Sequence, residues 1–67
     1  MNESKPYIPL EALKEYHDAL LKGDTSDSTI YGIRREAIAV LFEYNDRATK
    51  NYVAKVLMEM YKKVKYF

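Results

Sequence analysis

Apolar residues recur along the chain at intervals of three and four rather than two, the spacing of helices and not of strands. Between residues 9 and 22, Leu10, Leu13, Tyr16, His17, Leu20 and Leu21 fall on one stripe, and Glu11, Lys14, Glu15, Asp18 and Lys22 fall on the other side. Pro9 suits a first helical turn, where its missing N–H costs nothing. Gly23 suits the left-handed residue that ends a helix. The polar run "DTSDST" at residues 24–29 predicts a loop, with Asp27 or Ser28 capping a second helix over about 29–44. Asn45 tolerates a left-handed turn. Asp46 can cap a third helix over about 47–65, with Thr49 as an alternative cap. Val53, Val56, Leu57, Met60, Tyr61 and Val64 form the apolar stripe of that helix. The connection at Asn45 is also compatible with a kink in one long helix. The pattern predicts an all-α fold, a single helical domain over residues 1–67. It is a small three-helix bundle that homodimerisation would complete, with Leu20, Leu41 and Leu57 among its core positions.

The second helix carries more apolar surface than an ordinary surface helix. Stepping 100° per residue from Ile30 places Ile30, Ile33, Ala37, Val40, Leu41 and Tyr44 on one stripe. Tyr31, Ile38 and Phe42 form a second stripe about 100° away. Arg34 lies between the two, and Arg35, Glu36, Ala39 and Glu43 occupy the narrow remaining face. The middle helix of a three-helix bundle touches both neighbours, which by itself calls for a broad apolar arc. Arg34 would then lay its stem along that arc with its head in water. The alternative is that Tyr31, Arg34, Ile38 and Phe42 face a protein partner, since aromatic residues and Arg are the usual interface anchors. A homodimer is the commonest form of such a contact.

Composition narrows the choices. A chain of 67 residues buries only roughly 60% of its unfolded surface, so reinforcement is expected from disulfides, metal or self-association. The absence of Cys and the single His exclude disulfides, thiolate zinc sites and multi-histidine sites, which leaves self-association. The longest apolar run, "AIAVLF" at residues 37–42, is far short of the roughly 20 residues that span a membrane. The start "MNESKPYIPLE" has neither the basic nor the apolar segment of a signal peptide. A soluble, cytoplasmic protein with no membrane contact is therefore expected.

Charge is uneven along the chain. Residues 1–46 carry five Lys and Arg against nine acids, and residues 47–67 carry six against one. Such asymmetry marks either a contact with an anionic partner or an acidic half packed on a basic one. Lys55, Lys62 and Lys63 project opposite the apolar stripe of the third helix, with Tyr52 and Tyr66 on the same side. Together they form a candidate nucleic-acid contact. Glu59 sits centrally on that face, spaced to pair with Lys55 and with Lys62 or Lys63. Lysines at a helix C-terminus are also favoured by its dipole, so a solvated face accounts for them as well.

Chemistry of its own is poorly supported, and no catalytic residue, cofactor or metal is expected. His17 stands at the edge of an apolar stripe, where a packed or half-exposed histidine is the ordinary finding. Glu11, Glu15 and Asp18 share a helix face and read as a solvated acidic face. "DTSDST" lacks the alternating oxygen ligands, central Gly and closing Glu of a calcium loop, and two glycines build no phosphate-cradling loop. A helix-turn-helix centred on Asn45 fails, because Asp46 and Asn51 stand where apolar residues belong. No motif points to a known family. In being small, cysteine-free and rich in Lys and Tyr, the chain is similar to many bacteriophage and mobile-element gene products. The expected function is a small non-enzymatic protein-interaction module, an adaptor or inhibitor of a larger protein. The alternative is a nucleic-acid-binding accessory protein that uses its basic third helix.

Overall fold

The computed structural model describes residues 6–64. Three helices follow one another as α1 (Pro9–Leu21), α2 (Asp27–Glu43) and α3 (Arg47–Val64), with no strand among the described residues. The all-α three-helix bundle is thus realised, and Asn45 lies in a true break rather than a kink. The last residue of the expected third helix, Lys65, lies outside the described residues, as does Tyr66.

Local signals set most of the boundaries. Pro9 opens α1 without a side-chain cap. The helix ends in a Schellman motif: Asp24 N–H donates to the Ala19 carbonyl and Gly23 N–H to that of Leu20, both at 3.0 Å. Gly23 takes the left-handed φ of 103° that this ending requires. The start of α2 differs from expectation. It begins at Asp27, and its cap is Ser26, whose Oγ accepts from Thr29 N–H at 3.4 Å. Asp24 organises this start, accepting from Ser26 N–H at 3.0 Å and from the Thr29 hydroxyl at 2.7 Å. Serine can cap only if the loop presents it there, and Asp24 does that from two residues upstream. At α3 the expected cap is in place, with Asp46 accepting from both Thr49 N–H at 2.9 Å and the Thr49 hydroxyl at 2.7 Å.

α2 is the middle element, packed on α1 along one side and on α3 along another. The core contains Leu13 and Leu20 from α1, Ile30, Ile33, Ala37 and Val40 from α2, and Val53, Val56 and Met60 from α3. Leu10, Tyr16, Tyr44, Tyr52, Leu57 and Val64 pack around it half-buried. Three positions of the expected apolar stripes do not hold: Leu21, Leu41 and, on α3, Tyr61 are about half exposed.

The physical reason lies in which arc of α2 is covered. The buried residues Thr29, Ile30, Gly32, Ile33, Glu36, Ala37 and Val40 centre about 80° from Ile30 on the side away from Ile38. α1 therefore lies over the face that looked narrow and polar. Gly32 makes this possible: the Tyr16 ring lies against its backbone, so close that an added Cβ would stand 2.4 Å from Cζ. Glu36, expected in water, is buried and accepts a hydrogen bond from the Tyr7 hydroxyl of the segment preceding α1. A buried carboxyl is tolerated when it is hydrogen-bonded in this way.

Candidate interaction site

Because α1 covers the Gly32–Glu36 side, the opposite side of α2 is left open. Tyr31, Ile38 and Phe42 are 66%, 57% and 86% exposed, respectively. The reading in which neighbouring helices absorb this second stripe therefore does not describe the bundle. Arg34 is also exposed, one turn after Tyr31 and one before Ile38, as expected for a residue between the stripes. Leu41 joins the same surface, and with Ile38 and Phe42 it lines a shallow apolar depression.

The open surface extends onto α3. Arg34, Ala37, Ile38 and Leu41 of α2 meet Leu57 and Tyr61 of α3 around a groove of about 280 Å³. Met58, one turn before Tyr61, is exposed beside it. The structure thus brings together the four residues singled out in the sequence and adds Leu41, Leu57, Tyr61 and Met58. A signal for these additions exists in the helical projection: Leu41 sits next to the second stripe, and Tyr61 lies at the edge of its own. Sequence spacing within one helix does not, however, say which edges of two helices meet.

The basic side of α3 lies elsewhere, towards α1. There His17, buried at 8% exposure, links the two helices. Its Nε2 lies 2.6 Å from Glu59 Oε1 and its Nδ1 3.0 Å from the Tyr52 hydroxyl. In the tautomer with Nε2–H donating to the carboxylate, Nδ1 accepts from the Tyr52 O–H. The Tyr52 ring meets the imidazole edge-on, at 5.6 Å between centroids. The His17 hydrogen bond holds the Glu59 carboxyl below its ordinary pKa, with Lys55 and Lys63 adding to the effect. Burial, and then the Glu59 charge, push the Tyr52 hydroxyl up.

Two expectations change as a result. Glu59 is directed at His17 and not at Lys55, Lys62 or Lys63, because a buried imidazole offers a stronger partner than a solvated ammonium. Tyr52 spends its hydroxyl on His17 instead of presenting it outward. Lys55, Lys62 and Lys63 themselves are exposed, and among the described residues no carboxylate lies within ion-pair distance of them. Tyr66 of the same proposed set lies outside the described residues.

No His, Asp and Glu residues cluster as a metal-binding group among the described residues, Glu11, Glu15 and Asp18 included. Among them, too, no helix is long and apolar enough to cross a membrane. Comparison with protein-family models, with curated proteins and with solved structures returns no match to this chain.

Proposed function

We propose that this chain is a small, non-enzymatic, cytoplasmic protein-interaction module, an adaptor or inhibitor that binds through the outer face of α2. The observation that carries this reading is the exposure of Tyr31, Ile38 and Phe42 beside Arg34 on one rigid helix. Large apolar side chains scattered singly on a surface call for no explanation, whereas a contiguous patch does. Phe42, at 86% exposure, would gain the most from a partner. Aromatic and Arg side chains at the centre of such a patch are the residue types that dominate binding energy.

Affinity capture from extracts of the native host, with the wild-type chain and Phe42→Glu side by side, tests this. Phe42 touches little within the protomer, so the variant should fold, its stability within about 0.5 kcal/mol of wild type. It should lose partners that the wild type retains. A folded variant that retains every partner of the wild type, and the same mass in solution, would refute the reading.

A second reading rests on a separate observation. Lys55, Lys62 and Lys63 are exposed while the one acid of their face, Glu59, is directed at His17. That leaves a local positive surface for the phosphates of a nucleic acid. Phosphate contacts weaken steeply with salt, and an apolar protein interface does not, so salt dependence separates the two readings.

A further inference from the structure

We infer that the occupant of the open α2–α3 face is a second copy of this chain, docked about a two-fold axis that crosses α2 between Glu36 and Ala37. This rests on the interaction reading above and names its partner.

The exposed area of this face suits a second copy. Tyr31, Ile38, Leu41, Phe42, Met58 and Tyr61 are each between 47% and 86% exposed. At roughly 200 Å² for a fully exposed large side chain, they present about 700 Å². That exceeds the roughly 300–600 Å² of the largest patch on an ordinary monomer. It approaches the roughly 800 Å² per protomer that a stable interface buries. The core holds nine apolar side chains among the described residues, which is small, and covering the patch would add six more.

The two ends of the face also match one another. A two-fold contact must match a surface to itself, residue against residue in reverse order. Tyr31 and Phe42 stand at the two ends of the stripe, eleven residues or about 16 Å apart along the helix. Antiparallel pairing of α2 with its copy brings Tyr31 of one protomer against Phe42 of the other, twice. Ile38 lies close to the axis, where it faces the groove lined by Arg34, Ala37, Leu41, Leu57 and Tyr61 of the partner. In this register Ile38 comes level with Arg35 of the partner subunit and Arg34 with the partner's Ala39, so the arginine stems lie along the aliphatic centre with their heads in water.

The chain contains no Cys, which permits a direct test. Tyr31→Cys and Phe42→Cys are prepared separately, mixed and oxidised mildly. In the antiparallel pairing the 31–42 distance is short while 31–31 and 42–42 are each about 16 Å along the axis. The mixed disulfide should therefore far exceed the statistical half of the products. Sedimentation of the wild type should give twice the 7.9 kDa protomer mass, and Phe42→Glu should weaken association at least about 100-fold. A wild type that stays at 7.9 kDa at 0.5 mM (~) overturns the second-copy inference. So does a dimer with statistical cross-links, or one whose affinity ignores Phe42→Glu. If Phe42→Glu proves unfolded, the cross-linking ratio decides alone. A monomeric wild type that loses a foreign partner on Phe42→Glu removes the second copy but keeps the face. A monomer with no Phe42-dependent partner removes both.

Discussion

Gly32→Ala probes the contact that decides which side of α2 is left open. In an ordinary helix interior this change stabilises by about 1 kcal/mol, because Gly is a poor helix former. Here the new Cβ would stand 2.4, 2.6 and 2.7 Å from Cζ, Cε1 and Cε2 of Tyr16. Carbon atoms in contact prefer about 3.5–4.0 Å, so the ring must withdraw by more than about 1 Å. Overpacking of that kind costs about 1–3 kcal/mol. The contact is with the far end of a half-buried ring, which places the cost in the lower part of that range. With a cost of about 1.5 kcal/mol against a gain of about 1 kcal/mol, the net expectation is destabilisation by about 0.5 kcal/mol, a fall in Tm of about 2–4 °C for a domain of this size. The sign should reverse when the ring is removed: in a Tyr16→Leu background, Gly32→Ala should raise Tm. Thermal melts by circular dichroism of the four proteins, at one concentration, complete the cycle and isolate the coupling. If Gly32→Ala raises Tm in the wild-type background, the ring does not pin α1 on this face and the argument fails.

Three further outcomes follow from the same geometry. Leu20→Ala should cost about 2–5 kcal/mol as a fully buried truncation, and Leu41→Ala less than half of that, which denaturant titration would show; equal costs would contradict the half-exposed placement of Leu41. Hydrogen bonds from Thr29 and Ser26 to Asp24, from Thr49 to Asp46 and from His17 to Glu59 each lower the pKa of the carboxyl in the fold. The unfolded chain therefore takes up protons first as pH drops through about 4, and stability present above that pH is lost below it. Asp46→Asn keeps a capping side chain, so it should leave melting at pH 7 little changed and make the fall of Tm towards pH 3 shallower; an identical acid limb would show that Asp46 carries none of it. On the nucleic-acid reading, changing Lys55, Lys62 and Lys63 to Gln should lower the slope of log K against log salt by about 2–3, and a wild type with no retention on DNA or RNA at low salt ends that reading.

The number of helices, their approximate limits, the Gly23 stop and the Asp46 cap were legible in the sequence because each depends on residues within one turn. The stripe Tyr31, Ile38, Phe42 was legible as apolar excess for the same reason. Its exposure was not. Which arc of α2 is covered depends on a ring from α1 fitting over Gly32 and on the Tyr7 hydroxyl satisfying Glu36. Both are contacts between residues far apart in the chain. Periodicity reads Gly32 as a neutral position and Glu36 as a solvated one. Glu59 is a parallel case. Its i±4 spacing to lysines is visible in the sequence, but the imidazole that takes it comes from α1, 42 residues away.

The central claim, that the outer face of α2 is where this protein binds, is tested most directly by amide-resolved NMR on the isotope-labelled chain. Spectra are recorded as the protein is diluted and as native host extract is added. The account predicts shifts or broadening concentrated at Tyr31, Arg34, Ile38, Phe42, Leu57 and Tyr61. Perturbations confined to Tyr52, Lys55, Lys62 and Lys63, or none under either condition, would contradict it.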